Sequence, residues 1–260
     1  MISTLTSYKA LTRDTDHSIK GIAAQRSVER ETSYYLSTIR SIKSIDDFMG
    51  DRRIYSFTLR SFGLDGMIGS KALIRKVLEG GIDNRDSLAN TLADSRFKEL
   101  VESFNFVRYG ATTTTFGRTQ QGTVDRFLRQ ALEERAGDIN EGVRLALYFE
   151  RKAPAINNLY GLLADRALYK VVETALALPS TLPASGIEKQ AAIIGKKLDI
   201  NSLRDPKKVK ELIERFASLW DLSQQGPQST AASILQRVTP TVSIASETLA
   251  TIQGIRPYRR

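Results

Sequence analysis

Apolar residues along this chain recur three and four positions apart, the spacing of one helix face, and polar punctuation separates the runs. After a polar start, Asp14 or Asp16 is placed to cap a helix reaching about residue 25, with Ile19, Ile22 and Ala23 inward. The pattern predicts a second helix over 27–40, opened by Glu29 and Glu31 at its positive end and burying Tyr35, Leu36 and Ile39. Ser44 and Asp47 have capping-box spacing for a short turn through Met49. Asp51 then heads a helix over 51–62 whose apolar face carries Ile54, Tyr55 and Phe62. Gly80-Gly81 closes a helix begun near residue 70, and a further helix over 84–105 is expected to break near Ala93-Asp94. Residues 109–117, rich in threonine and flanked by glycine, read as extended chain or loop, followed by a helix over 120–135. The remaining helices are expected over 140–152, 154–163, 165–177, 186–198 and 205–222, the last opened by Asp205-Pro206.

The 51–64 stretch returns in degraded form 114 residues later. Asp51 pairs with Asp165, Arg52 with Arg166, Ile54 with Leu168, Tyr55 with Tyr169, Phe62 with Leu176 and Leu64 with Leu178. Upstream, Tyr34 matches Tyr148, Tyr35 matches Phe149 and Phe48 matches Leu162; downstream the offset drifts to 120 and 119, pairing Ile74 with Ile194, Arg85-Asp86 with Arg204-Asp205 and Phe97 with Phe216. The expected architecture is therefore all-α, two tandem diverged multi-helix repeats with pseudo-symmetric packing and a short helical tail. The segments are 1–106, a first repeat with a leading helix; 107–142, a connecting loop and helix; 143–222, the second repeat; and 223–260, a flexible tail.

Composition removes whole classes of chemistry. With no cysteine and one histidine, His17, zinc sites of the Cys and His type and thiol nucleophiles are excluded. The Asp14–His17 cluster is better read as a helix cap than as a cation site. Gly63–Lys71 has the glycines of a phosphate loop, but no strand precedes it and the Ser-Lys order is reversed. Asp83–Asp86 lacks the central glycine and distant glutamate of a calcium loop. Phe97, Phe104, Phe106 and Trp220 fall at helical spacing and read as core. No catalytic, cofactor or metal residue is expected, and no cofactor. No apolar run is long enough to span a membrane, and Met1–Lys9 has no secretory-signal core, so the expected location is cytoplasmic.

The net charge of +9 is spread thinly, with +2 over residues 1–28, zero over 29–142, +4 over 143–222 and +3 over 223–260. Lys196, Lys197, Lys207, Lys208 and Lys210 form the one dense run; a solvated helix face is the plain reading and a phosphate-binding patch the alternative. In the tail, beyond Pro240, Val242, Ala245, Leu249 and Ile252 make an apolar stripe too short to be stable alone. That stripe needs a surface. The expectation is a docking element hinged at Gly226-Pro227, with Val242, Leu249 and Ile252 in contact and Arg256, Arg259 and Arg260 steering.

Ser7–Asp14, Arg30–Leu36, Ile45–Tyr55 and Phe62–Asp65 resemble a bacterial family of unassigned function whose members recur beside flagellar genes. The resemblance is strongest over residues 7–106 and loose thereafter. It implies a helical protein linked to the flagellum, with no catalytic residues to transfer. The function expected is that of a non-catalytic structural or interaction protein, associated with flagellar assembly or motility and partnered by a flagellar component, another protein or a second copy. Signal-less export to the flagellum or basal body is the alternative location. Nucleic-acid or acidic-partner binding through the basic second repeat and tail is the alternative function.

Overall fold

A computed structural model describes residues 3–224, and among them every regular element is helical. Expectations on the tail, including Val242, Leu249, Ile252, Arg256, Arg259 and Arg260, lie outside the described residues. Residues up to Asp221 form one compact unit. Its first part contains α1 (Thr4–Arg13), α2 (Thr15–Ala23), α3 (Arg26–Thr38), α4 (Ile45–Gly50), α5 (Arg52–Ser61), α6 (Lys71–Gly80), α7 (Leu88–Thr91), α8 (Ser95–Ser103) and α9 (Phe106–Tyr109). Then follow α10 (Gln121–Ile139), α11 (Glu141–Lys152), α12 (Leu159–Ala164), α13 (Arg166–Ala175), α14 (Ile187–Gly195) and α15 (Pro206–Gln224).

Two apolar cores result. One is built from Ile22 to Leu132 around α5, and the other from Tyr8 together with Ala136 to Phe216. The 19-residue α10 serves both, giving Val124, Phe127 and Leu128 to the first and Ala136 to the second. Helix α5 is buried around most of its circumference because Phe57 stacks on Tyr35 of α3 at 4.4 Å and on Phe127 of α10 at 4.2 Å. Helix α13 keeps one stripe, Leu168, Val171, Val172 and Ala175, as expected of a helix covered on one side.

Both α5 and α13 begin with the same chemistry. Asp51 accepts the amides of Arg53 and Ile54 while its other oxygen accepts the Tyr34 hydroxyl at 2.8 Å. Asp165 accepts the amides of Ala167 and Leu168, and the Tyr148 hydroxyl at 2.6 Å. The short helices before them are capped by Ser44, in a full capping box, and by Asn158. Both also end alike: the amide of Leu64 reaches the carbonyl of Leu59 and that of Leu178 reaches Glu173, over the left-handed residues Gly63 (φ 70°) and Ala177 (φ 47°). Glycine takes that conformation without strain, whereas it costs an alanine about 1 kcal/mol or more.

Several expectations need correction. Residues 4–13 are a helix, because its first turn is capped from 217 residues away: Asp221 accepts the Thr4 amide at 2.9 Å and the Thr4 hydroxyl at 2.5 Å. Residues 109–117 are helical turns and not extended chain, since threonine hydroxyls bond back to nearby carbonyls, Thr112 to Tyr109 and Thr113 to Gly110. The expected 84–105 helix shrinks to the short α7 and α8; its break falls beside Asp94 as expected, and Asp94 caps α8. Asp94 caps α8 as Asp205 caps α15, each accepting the amide two residues on. The second part starts α12 at Leu159, not 154, and α10 runs on to Ile139. Leu36, expected inward, is 39% exposed.

Close packing at one glycine ties α1, α11 and α15 together. A Cβ on Gly142 would lie 2.5 Å from Trp220 and 2.9 Å from the Thr4 methyl. We expect Gly142→Ala to lower stability by about 1–3 kcal/mol through overpacking. Trp220 is the chain's single tryptophan, so its emission maximum should move with the same substitution, and unchanged emission with an unchanged midpoint would refute the predicted clash.

Candidate functional site

A cleft of about 560 Å³ opens where the end of α5 and the starts of α8 and α13 meet α11 and α12. Its walls are rich in charge, and most of the charged groups bind one another; among the described residues Asp65 and Arg166 of the lining form no such pair. Arg96 of α8 donates to both oxygens of Asp94 and to the carbonyl of Gly63. Lys152 of α11 meets Glu99 of α8 at 2.5 Å. Arg151 donates through two nitrogens, at 2.6 and 2.7 Å, to Glu133 of α10, whose carboxylate is only 2% exposed. Tyr148 gives its proton to Asp165.

The electrostatics follow from this pairing. Burial works against the Asp94 carboxylate, but the hydrogen bonds and charge of Arg96 outweigh it and hold its pKa below the usual carboxylate range. Burial pushes the Tyr148 phenol well up, and the charge and hydrogen bond of Asp165 add to the effect. Glu134 is a carboxyl pushed up by burial, with Gln130 opposing; it lies on α10 next to the cleft, since the Gln130 that donates to it is one of the lining residues. A paired wall can hold its shape and present fixed charge.

The alternatives weighed on sequence resolve by geometry. Asp14 accepts the amide of His17 as a helix cap, and His17 is exposed. Among the described residues no cluster of three or more His, Cys, Asp or Glu is arranged to hold a metal. The Gly63–Lys71 stretch is the stop of α5 followed by a single 3-10 turn. Asp83 pairs with Arg108, and Asn84 accepts the Asp86 amide in a turn. Phe97, Phe104 and Phe106 are core, whereas Trp220 is half-buried against Phe216.

Of the lysine run, Lys196 follows α14 and Lys207, Lys208 and Lys210 lie in the first turns of α15. Lys197 donates to the carbonyl of Leu176, and Lys208 pairs with Glu211 at 3.0 Å. The cleft itself was not foreseen. Its pairs join residues 18, 53 and 17 positions apart. Only the Tyr148-Asp165 pair left a trace, as the recurrence of Tyr34 and Asp51 at the 114-residue offset.

Residues 61–209 match the family described as Protein of unknown function (DUF1217). A solved X-ray crystal structure of a protein from Agrobacterium tumefaciens is similar at 43% identity and a TM-score of 0.79, over 86% of this chain and 97% of that one. No curated protein matches. Among the described residues no helix is long and apolar enough to cross a membrane.

Proposed function

The chain belongs to the family described as Protein of unknown function (DUF1217), and from that premise we propose that it is a non-catalytic structural or interaction protein with a part in flagellar assembly or motility. The observation that supports the non-catalytic reading is the pairing within the cleft, where Glu99, Asp94 and Asp165 are engaged by Lys152, Arg96 and Tyr148, and Arg151 is held by the buried Glu133. The flagellar part rests on the resemblance carried by residues such as Arg30–Leu36 and Ile45–Tyr55. Its partner is another protein, a flagellar component or a second copy. Its place is the cytoplasm, with the flagellum or basal body as the alternative.

We also propose an internal duplication as the origin of the architecture. The recurrence of the Tyr-Asp bond, the cap and the left-handed stop at one offset of 114 residues supports it. An experimental structure in which residues 34–64 and 148–178 failed to superpose would reject it. Residues 226–260 are proposed as a docking element on the strength of the apolar stripe at Val242, Leu249 and Ile252.

Affinity capture from the native cell, with full-length chain as bait, tests the reading. The expected result is a protein partner recovered from a motile background and missing from a flagellum-less one. Capture that is indifferent to the flagellum would remove that assignment. Retention of DNA with a steep salt dependence would shift the function to nucleic-acid binding through Lys196, Lys197, Lys207, Lys208 and Lys210.

A further inference from the structure

Helices α1 and α2 are separated by a single residue. Asp14, at φ −142° and ψ 83°, ends α1 and caps α2, its carboxylate accepting the His17 amide. No glycine or proline stands between residues 3 and 20 to require a break there. The covered side also runs straight through it: Thr4, Tyr8, Leu11, Thr15, Ile19 and Ile22 are buried or half-buried and lie four, three, four, four and three positions apart. That is one helical period over both elements, so residues 4–23 carry the pattern of a single helix bent at its middle.

The bend sends the two halves to different cores. Tyr8 of α1 is buried in the second core, Ile22 of α2 in the first, and Leu11 packs against both. The seat of α1 lies on α11 and α15, where Thr4 meets Asp221 and Gly142, and Lys9 pairs with Glu214 at 2.7 Å. Of the residues of α1 only Thr4 and Tyr8 are buried, so the helix is held by two buried side chains, a carboxylate clasp and an exposed ion pair that stabilises little. Segments with few buried contacts are the first to open. Straightening at Asp14 also loses little locally. The cap on His17 and the bond from the Ser18 hydroxyl to the Leu11 carbonyl give way to ordinary helical bonds.

We propose that α1 is an exchangeable arm: the chain straightens at Asp14, and α1 leaves its own seat for the identical seat of a second copy, whose α1 takes the vacated place. The seat itself identifies the occupant. Asp221, Gly142 and Glu214 are matched to Thr4 and Lys9, and the α1 of another copy repeats each of those contacts. Closed and exchanged forms therefore share the same seat contacts, and the bend and the protein concentration decide between them. A short connection between an arm and its body is the setting in which such exchange occurs. The proposal deepens, and rests on, the reading of the chain as an interaction protein, naming a second copy as the partner.

The full chain has no cysteine, so Lys9→Cys and Glu214→Cys each introduce a single thiol, at an exposed pair whose loss costs little. The two variants are mixed at high concentration, incubated and treated with a short bis-maleimide. The expected product is a covalent heterodimer in clear excess over what either variant gives alone. Two further substitutions at the bend set its amount. Thr15→Pro suits the first position of α2 but not the interior of a straight helix, and it disfavours a helical Asp14, so the product should fall about tenfold or more. Asp14→Ala removes the cap and favours the straight form, so the product should rise. In hydrogen exchange on the wild type, the amides of α1 should open about a hundredfold or more faster than those of α5. No heterodimer above the single-variant level, an undiminished yield with Thr15→Pro, or α1 amides as slow as those of α5 would overturn the proposal. Thr15→Pro decides even where Asp14→Ala melts too low to be read. Exchange is measured in purified protein and partner capture in the cell, so a missing heterodimer beside a captured partner overturns the arm and leaves the interaction reading standing.

Discussion

Replacing Arg151 by leucine is expected to lower stability by about 3–5 kcal/mol, because it leaves the Glu133 carboxylate buried without its cation. Glu133 is 2% exposed and receives two short hydrogen bonds from Arg151. The reverse substitution, Glu133→Leu, should cost less, since Arg151 is 27% exposed and its long side chain can turn toward water. The double variant Glu133→Leu/Arg151→Leu should recover much of the loss, as an apolar pair of similar volume has no desolvation cost to repay. Urea unfolding of the four proteins in a double-mutant cycle measures this. A loss below about 1 kcal/mol for Arg151→Leu would show that water already reaches Glu133.

Truncation of the two corresponding helix residues should separate the cores. Ile54 of α5 is fully buried and Leu168 of α13 is 4% exposed, so removing either side chain to alanine falls in the range of about 2–5 kcal/mol. Ile54→Ala should lie in the upper part, because α5 is enclosed by α3, α4 and α10 and the cavity cannot collapse. Leu168 lines the cleft, where solvent and neighbouring side chains can fill the space, so its truncation should lie in the lower part. Losses below about 1 kcal/mol at both positions, read from denaturant midpoints at unchanged slope, would mean that neither helix carries its core.

Much of the helix inventory was written in local pattern. Asp51, Asp165 and Asp205 each cap the helix expected of them, and Ser44 with Asp47 completes the expected capping box. Such bonds span two or three residues, so their partners are already neighbours in the chain. The spacing of Ile54, Phe62, Leu168 and Leu176 likewise placed them in the cores. Expectations failed where the partner was distant or where a side chain competed with the backbone. Helix α1 depends on Asp221, and the turns after Tyr109 depend on threonine hydroxyls whose local bonds cannot be told from strand propensity by residue type.

The amino-acid sequence alone determined that the chain is helical, that it has no cysteine chemistry, and that Tyr34-Asp51 and Tyr148-Asp165 recur at one offset, because each of these is a matter of composition or short-range spacing. Tertiary structure decided which charges meet. Glu133 reads like any solvated glutamate on an amphipathic helix until α11 brings Arg151 against it, and Arg118 reads like any exposed arginine until the turns bring Tyr109 and Phe116 to its two sides. Burial and pairing are properties of surfaces brought together by the packing of several helices, and the energy of a charge is set by that surrounding medium, which no local spacing encodes.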